Sequence, residues 1–312
     1  MSPRIRRFLA AAGLGFASVA VVLPWWGFHD YQTYQLAIER VLAGDGLYAG
    51  FQLGGPYSLI DVVGAGFVYP PSAVPVLAWT PAVIPAAAVL LMMIGMLWVA
   101  LVITQTAPPW VQALAVATLG FSPIAWDAIA SGQITPVLAT CLGLMWITRR
   151  GEWAVPAAAV KVFPIAWLAF TARSREPGTL LGSLAVAAVI GVVGTVLVGT
   201  DGWTQFVTVL GNGEPWCAPP SLGSFACLGV PAAGYVVTAA AIIGALLVRD
   251  DRLAFLLVAA GSIAASPDIY PNYLLIPALG LLPYLAARPQ SSSTDASGGV
   301  TWAPPSGGTA RP

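Results

Sequence analysis

One candidate for chemistry is Asp30, an acidic residue that follows directly on a long apolar stretch ending in Pro24, Trp25 and Trp26. A carboxylate at that position can act as a general base and take the proton from a hydroxyl group that arrives at a membrane surface. The structural alternative is that Asp30 caps the helix predicted to follow it, because aspartate is a favoured N-cap residue. The two roles are compatible, and both stay open at this point.

Lys161 is the second candidate, because it is the only lysine of the chain. It lies in the stretch 152–172, whose only other charged residue is Glu152 at its start. An ionisable residue inside a membrane segment is a functional candidate by default. Its ammonium group is a compact point charge that can neutralise a phosphate. The alternative is a lysine whose side chain extends inward along its helix to the cytoplasmic membrane surface.

These two charges stand out because the chain has so few. Its 312 residues include 13 basic and 13 acidic side chains, so that 8% are charged and 58% are hydrophobic. Soluble domains are about one quarter charged, and a helix needs roughly 20 apolar residues to cross the hydrocarbon. The composition excludes a soluble globular protein and predicts an all-α polytopic membrane protein. Balanced charge without basic clusters excludes nucleic acid as a partner.

The first apolar run, 8–25, follows Arg4, Arg6 and Arg7, an order that signal peptides share. The tryptophans at its end favour an uncleaved first transmembrane helix, because tryptophan is enriched at membrane interfaces. Positively charged residues prefer the cytoplasmic side. The N-terminus is therefore predicted inside, and Asp30 outside.

The stretch 152–172 is predicted to enter and leave the membrane on the same side. Arginines flank it at both ends, and both flanks favour the cytoplasm. Lys161 and Pro164 interrupt its middle, and a proline removes a helical hydrogen bond. We therefore expect a re-entrant pair of half-helices with Lys161 near the turn. Non-helical backbone at that depth is tolerated only where protein or a water-filled cavity covers it, so a cavity is expected there.

The distribution of charges predicts a single integral membrane domain over residues 1–288. About eight transmembrane helices, the re-entrant hairpin and an outer interfacial helix make up this domain. Residues 289–312 are rich in Ser, Gly and Pro and are predicted to form a disordered cytoplasmic tail. Both termini are then cytoplasmic, and the protein is expected in the plasma membrane with Asp30 on its outer face.

The outer interfacial helix is predicted directly after Asp30 and ends at Gly44, a residue typical of helix C-termini. Its sequence is amphipathic, with Glu39 and Arg40 on the polar side. The residues predicted on the opposite, membrane-facing side are Tyr31, Tyr34, Ile38, Val41 and Leu42.

Further polar residues are predicted on the outer side. Gln133 begins a helix just past Asp127 and can bond a sugar hydroxyl, although a solvated helix start is the structural alternative. Tyr69 precedes two prolines and can either stack on a sugar or anchor the chain at the membrane interface. Asp127 and Asp268 belong to the same side and are possible secondary acidic residues of the site.

Two of the three cysteines, Cys217 and Cys227, fall in a predicted outer loop over residues 200–229. Disulfides persist on the oxidising side of a membrane, so a bridge between them is the favoured interpretation. Two unpaired thiols are the alternative, because sequence alone does not give the geometry. Cys141 is expected in a helix core. With a single histidine in the chain, no spacing of cysteine and histidine suggests a metal site, and no cofactor is expected.

Five motifs occur in order along the chain. They are Asp30-Tyr31…Tyr34 with Ala43-Gly44-Asp45-Gly46-Leu47-Tyr48, Phe67-Val68-Tyr69-Pro70-Pro71, Ser131-Gly132-Gln133, Lys161-Val162-Phe163-Pro164 and Ser266-Pro267. This ordered set resembles the multi-spanning GT-C glycosyltransferases. Within them it resembles glycosyltransferase family 87, the polyprenyl-phosphate-dependent mannosyl- and arabinofuranosyltransferases, over about residues 25 to 285.

The resemblance implies a GT-C-like fold and the role of catalytic base for Asp30. It also implies that Gln133 and Lys161 line the cavity, and that a lipid-phosphate sugar donor reacts by direct, inverting displacement. Family members often follow the late Ser-Pro pair with an aromatic residue and two histidines. This chain instead has Asn272 and Tyr273, which donate hydrogen bonds but have no imidazole.

The predicted function is transfer of a sugar, mannose in the favoured version, from a polyprenyl-phosphate donor to a lipid-linked or polysaccharide acceptor of the cell envelope. The expected partners are this donor, the acceptor and membrane lipids. Two alternatives from other classes stay open. One is a membrane transporter or lipid flippase, which would also need a buried lysine on a broken helix. The other is an inactive accessory subunit of the same fold, motivated by the missing histidines.

Overall fold

The structure is a computed structural model that describes residues 1–25, 27–58, 66–173, 177–215, 217, 219 and 221–286. Trp26 and the predicted tail 289–312 lie outside the described residues. Within those residues the chain is helical apart from turns and two short parallel strands, β1 (Tyr57–Ser58) and β2 (Gly213–Glu214). The prediction of an all-α membrane protein is confirmed at this level.

The α-helices of the described residues are listed here with their bounds. They are α1 (Pro3–Val22), α2 (His29–Ala43), α3 (Gly50–Leu53), α4 (Ala73–Leu77), α5 (Pro85–Ile103), α6 (Pro109–Phe121), α7 (Pro123–Ser131), α8 (Thr135–Thr148), α9 (Ala154–Val160), α10 (Leu168–Ala172), α11 (Pro177–Val198), α12 (Asp201–Asn212), α13 (Pro231–Leu247), α14 (Asp251–Ser262) and α15 (Leu275–Leu285).

Four helical segments of the described residues are long and apolar enough to cross a membrane: Pro3–Val22, Pro85–Ile103, Pro109–Ser131 and Gly178–Val198. The third of these combines α6 and α7, which meet at Ser122. Several shorter apolar helices, among them α8 and α13, lie between the long ones. Length and composition therefore support a membrane protein, and the predicted number of about eight spans stays a prediction.

Helix α1 packs along α5 and closes one side of the bundle. Gly15 makes this approach possible, because a Cβ atom there would lie 3.0 Å from the Ile94 side chain. The Ser18 hydroxyl donates to the Gly120 carbonyl of α6. The first helix, predicted from the apolar run alone, is thus joined to two later helices.

Helix α2 begins one residue before Asp30 and not at it. Its N-cap position is Phe28, in a left-handed conformation with φ 47° and without a side-chain capping bond. The alternative that Asp30 is the N-cap is therefore wrong. Asp30 lies in the first turn, where the helix dipole favours a negative charge. At the other end, Gly44 terminates the helix with φ 83°, as predicted.

The buried face of α2 differs in part from the predicted one. Tyr31, Tyr34 and Ile38 are buried as a group, but the Leu42 side chain is 74% exposed. Tyr31 shows what this face contacts. Its hydroxyl donates to the carbonyl oxygens of Thr80 and Val83, at 3.1 and 3.0 Å. The buried face thus packs against protein in front of α5, and not against lipid as the sequence suggested.

The segment between α8 and α11 folds back on itself. Helix α9 ends at Lys161, whose backbone is extended, and a 3₁₀ turn, Phe163–Trp167, leads into α10. The two ends of this segment meet, because Arg149 and Arg173 both pair with Asp251, at 3.5 and 3.3 Å. A chain that leaves and returns to one carboxylate has the geometry expected of a re-entrant hairpin, with Lys161 at the far end.

The predicted outer loop 200–229 is partly wrong, because it contains α12. With 12 residues this helix is too short to cross a membrane, and its Gly202 and Val209 are buried. Next to it, β2 pairs in parallel with β1. Asn212 also donates to the Gln52 carbonyl at 2.9 Å, so that the loop is joined to the segment after α2. A search of the sequence for long uncharged stretches does not detect a helix of 12 residues.

The molecule therefore has two chemically different ends. We call the first the arginine end and define it by Arg149, Arg173, Arg249 and Asp251, which lie together where α8, α10 and α13 end and α14 begins. The opposite end is reached by the C-terminal part of α1, since Gly27 and Phe28 both donate to the Ala130 carbonyl of α7. Asp30 lies at this second end, which we call the site end.

Candidate functional site

Lys161 occupies the centre of the site end. Its side chain is buried, and its Nζ donates to Tyr273 OH at 2.6 Å and to Gln133 Oε1 at 3.3 Å. The ammonium also lies 4.0 Å from the centre of the Tyr273 ring and 5.9 Å from that of Tyr69. The alternative of a lysine extending inward along its helix to the membrane surface is therefore wrong, because the side chain contacts the oxygens of Gln133 and Tyr273 and two aromatic rings.

Gln133 lies between Lys161 and helix α2. Its Oε1 accepts from Tyr34 OH at 3.1 Å as well as from Lys161. The residue before it, Gly132, has φ 71°, and a Cβ atom there would lie 2.8 Å from that of Tyr31. Glycine is required for both reasons, since it permits the left-handed turn and the close approach of α7 to α2. Gln133 is buried, so it is not a solvated helix start.

Tyr34 connects the two sides of the site and was missed as a functional residue by sequence reasoning, which placed it on the membrane-facing side of α2. Its hydroxyl bonds Gln133 and also lies 3.3 Å from Tyr69 OH. The signal that could have identified it is its spacing, because residues four apart on a helix share a face. Tyr34 is therefore on the face of Asp30, one turn further along.

Tyr69 is buried and held by its own neighbours. Tyr48 donates to the Tyr69 carbonyl at 2.8 Å. Two residues before Tyr69, the Gln52 side chain binds the backbone of Phe67. Phe67 N donates to Gln52 Oε1 at 3.2 Å, and Gln52 Nε2 donates to Phe67 O at 3.1 Å. This arrangement makes Tyr69 part of the site wall, and the interpretation as an exposed interface anchor is wrong.

Asp127 and Asn272 form a close pair although 145 positions separate them in the sequence. Asp127 Oδ2 accepts from the Asn272 side chain at 2.6 Å and from the Asn272 backbone amide at 3.2 Å. On its other side, Asn272 Oδ1 accepts from Thr135 at 2.9 Å. Asn272 is thus fixed by three hydrogen bonds directly beside Tyr273, the partner of Lys161.

Asp268 is buried in the segment that leads to Asn272 and Tyr273. The carbonyl oxygens on both sides of it accept bonds from the loop that contains the cysteines. Leu222 N donates to Ile269 O at 2.7 Å, and Ser224 Oγ donates to Pro267 O. Within that loop, Cys217 and Cys227 are joined in a disulfide, while Cys141 is a buried free thiol in α8. The bridged loop therefore braces the segment of Asp268.

Asp30 is partly accessible and faces the same group of residues. Burial raises the pKa of Asp30 from 3.8 to about 6. The positive charge of Lys161 opposes this rise, and the negative charge of Asp127 adds to it. An aspartate with this pKa is ionised at neutral pH and binds a proton more readily than an ordinary one. Both properties suit a general base.

The structure therefore brings the sequence-predicted residues to one end of the molecule. Asp30 comes from α2, Asp127 and Gln133 from α7 and the turn after it, and Lys161 from the tip of the hairpin. The remaining members are Tyr69, Asp268, Asn272 and Tyr273. In the described part of the chain, no group of three His, Cys, Asp or Glu side chains could hold a metal ion.

Comparison with protein families decides the class of this site. The sequence model of glycosyltransferase family 87 matches residues 67–267, which is more than half of the chain. The chain belongs to glycosyltransferase family 87. Searches among curated proteins and among solved structures gave no match.

As a member of glycosyltransferase family 87, the protein is a membrane glycosyltransferase that uses a sugar donor and an acceptor. The matched residues include Tyr69, Gln133 and Lys161. Asp30 precedes the match, and Asn272 and Tyr273 follow it. The structure places these three against matched residues, since Tyr273 contacts Lys161 and the charge of Lys161 acts on Asp30.

Proposed function

We propose that this family-87 enzyme transfers a sugar, mannose in the first instance, from a polyprenyl-phosphate donor to an envelope glycan or glycolipid acceptor. The reaction takes place at the outer face of the membrane with inversion at the anomeric carbon. Asp30 acts as the general base, and Lys161 neutralises the phosphate of the donor. The roles of the other site residues are to orient these two groups.

The observation that carries the proposal is the setting of Lys161. Its Nζ is buried among neutral oxygens of Gln133 and Tyr273, at the same end of the molecule as Asp30. A buried cation is costly unless opposite charge lies near it. The charges of Asp30 and Asp268 act on Lys161, but its printed hydrogen bonds go to neutral oxygens. A phosphate entering this pocket bonds the ammonium directly, beside a carboxylate that can accept a proton.

The chemical step needs one carboxylate only. The acceptor hydroxyl oxygen forms a bond to the anomeric carbon while the bond from that carbon to the phosphate oxygen breaks. The hydroxyl proton passes to Asp30, and the bonding pair leaves with the phosphate. Lys161 stabilises the phosphate charge as it develops. A phosphate leaving group requires no protonation, which distinguishes this step from glycoside hydrolysis with its acid and base pair.

Tyr273 takes part in place of the histidines that relatives often have near this position. Because its hydroxyl oxygen accepts a hydrogen bond from Lys161, its own proton can be donated to a phosphate oxygen. Lysine and tyrosine together then contact one phosphate. The absence of imidazole from this segment is compatible with catalysis on this reasoning.

The proposed orientation places the arginine end in the cytoplasm and the site end outside. Two features support it, the arginines themselves and the disulfide of the loop that braces the site end, since disulfides persist on the oxidising side. We further propose that α1, α5, α6–α7, α8, α11, α13, α14 and α15 cross the plasma membrane. Residues 1–288 then form one domain, with the tail 289–312 in the cytoplasm.

The decisive experiment measures transfer from polyprenyl-phosphate mannose by purified, detergent-solubilised Asp30→Asn. We expect turnover to fall by about 10³-fold or more, because the base is lost while size and hydrogen bonding are kept. Glu39→Gln is the matched control, since it makes the same change on an exposed residue of the same helix, and it should retain wild-type turnover.

The same assay distinguishes the other classes of function. Wild-type turnover in Asp30→Asn would contradict the mechanism. Uptake or flipping of the labelled donor into proteoliposomes without a glycosyl product would favour a transporter. Binding of the donor without any transfer by the wild-type protein would favour an accessory subunit. Arabinofuranosyl and other donors in parallel test the sugar.

A further inference from the structure

Helix α7 and the turn after it contact several parts of the proposed site. Asp127 in this helix binds Asn272, and its charge acts on Asp30. Ser131, in the last turn, donates to the Asp127 carbonyl at 2.7 Å. Gln133, just after the helix, accepts from Lys161. One short segment is therefore connected to both the base and the phosphate side.

Asp127 has the strongest of these contacts. Its Oδ2 accepts two bonds from Asn272, one from the side chain at 2.6 Å and one from the backbone at 3.2 Å. Hydrogen bonds to an ionised acceptor are about twice as strong as neutral ones. The backbone bond fixes the start of the Pro271–Leu274 turn. Tyr273 is the next residue in that turn, and its hydroxyl holds Lys161 at 2.6 Å.

The Asp127 carboxylate is engaged with Asn272. Its Oδ2 accepts both the side-chain and the backbone bond of that residue, so it holds the start of the Pro271–Leu274 turn. Its negative charge acts at longer range, because it raises the pKa of Asp30. This geometry is that of a residue that acts by holding Asn272.

We propose that Asp127 is a positioning residue that fixes Tyr273 and Lys161 for the donor phosphate by holding Asn272. This inference rests on the proposed function. It goes beyond it by giving the second acidic residue of the site a role that differs from that of Asp30.

The effect of a charge change at Asp127 is measured through the pKa of Asp30, which depends on all the groups around that carboxylate. On its own helix these are His29 and Tyr34. Other elements contribute Asp127, Ser131, Lys161, Tyr69, Tyr270 and Tyr273, while Asp268 acts on Lys161, Tyr270 and Tyr273. Asp127 is the acidic group whose charge raises the pKa of Asp30 most. Its removal should therefore lower the pKa of Asp30, and no other group in this list changes.

The test compares Asp127→Asn with wild type in two assays. Equilibrium binding of polyprenyl-phosphate mannose should weaken about tenfold, because the anchor of Asn272 loses its charge. The acid limb of kcat/KM against pH should move to lower pH, because Asp30 loses a neighbouring negative charge. A merely structural loss would weaken binding but leave the position of the acid limb unchanged.

The double variant Asp127→Asn with Asn272→Asp exchanges the two side chains. An amide and a carboxylate still face each other, but the negative charge is now at position 272. It should recover donor affinity to within about threefold of wild type, since a carboxylate and an amide again face each other. Thr135→Val removes the third bond to Asn272 and should weaken donor binding without moving the acid limb. Thermal unfolding of each variant identifies any that fails to fold.

Two results would overturn the inference. One is Asp127→Asn with unchanged donor affinity and an unchanged acid limb. The other is loss of turnover comparable to Asp30→Asn with normal donor binding, which would make Asp127 a catalytic residue. If instead Asp30→Asn retains wild-type turnover, the proposed base fails, but donor binding still tests the role of Asp127 at the phosphate.

Discussion

The arginine end and the site end hold their charges in opposite ways. At the arginine end, Arg149 and Arg173 pair with Asp251, and the side chains of Arg149 and Asp251 are 51% and 56% exposed. At the site end, Lys161 is 6% exposed and its bonds go to neutral oxygens. Ion pairs shorter than 4.0 Å between described residues occur only around Arg149, Arg150 and Arg173.

This difference shows which charges serve folding and which serve a ligand. Exposed ion pairs contribute about 0–1 kcal/mol each, so the arginines act mainly by keeping their end of the chain on one side of the membrane. The buried ammonium of Lys161 bonds neutral oxygens and lies within reach of the charges of Asp30 and Asp268, and a buried cation of this kind in a membrane protein is a functional candidate. The contrast can be tested by making the same kinds of change at both ends.

The largest effect is expected from Lys161→Met. Loss of the cation should lower kcat/KM for the lipid-phosphate donor by about 10³-fold, as for the loss of one strong electrostatic contact to a developing anion. The matched variant at the other end, Arg149→Met, should stay within about threefold of wild type, because it loses one exposed pair. Comparable losses in the two variants would remove the distinction between the ends.

A smaller loss is expected from Tyr273→Phe. This change removes the hydroxyl that bonds Lys161 at 2.6 Å and leaves the ring in place. We expect a 10- to 50-fold fall, roughly, in kcat/KM, typical of a hydrogen bond to a charged group. Tyr69→Phe is its control, since the Tyr69 hydroxyl bonds Tyr34, and its effect in the same assay should be several-fold smaller.

The dependence of activity on pH should reflect the site end alone. Because burial raises the pKa of Asp30 to about 6, the carboxylate needed as base is lost as the pH falls through 6. At pH 5 about one tenth of it is ionised, so kcat/KM should fall about tenfold from its plateau. Thermal unfolding over the same range separates this limb from loss of structure. A limb near pH 4, the usual range of aspartate, would contradict the raised pKa.

The smallest effect is expected from Asp251→Asn at the arginine end. Both arginines of the hairpin lose their charged partner, but the Asp251 side chain is 56% exposed and that of Arg149 51%, and only Arg173, at 13%, is largely covered. The free energy of unfolding should fall by about 1 kcal/mol or less, and transfer should be unchanged. A large loss of transfer would show that the closure of the hairpin at this end controls the placement of Lys161.

Much of the site could be predicted because charges are rare in this chain. Asp30 and Lys161 stand out in an apolar sequence, and the arginines around 152–172 indicate a segment that returns to its starting side. Gly44 follows from the preference of helix ends for glycine. These features depend on local sequence or on the cost of charge in a membrane.

The features that could not be predicted depend on contacts between distant parts of the chain. Nothing near Asp127 indicates that its partner is Asn272, and nothing near Tyr34 indicates Gln133. The start of α2 at His29 follows from the bonds of Gly27 and Phe28 to the Ala130 carbonyl, which no local capping rule contains. Helix α12 was missed because its stability comes from burial of one face against neighbouring segments.

The shared use of Asp251 by both ends of the hairpin has a consequence for the order of assembly in the cell. The hairpin is synthesised well before α14, and its tip lysine contacts Tyr273, which is synthesised later still. The two arginines therefore wait for Asp251, and the lysine, which can already bond Gln133, waits for Tyr273. A chain that stops before Tyr273 would have its base and its cation but an incomplete centre, so activity reports that synthesis has passed the Pro271–Leu274 turn.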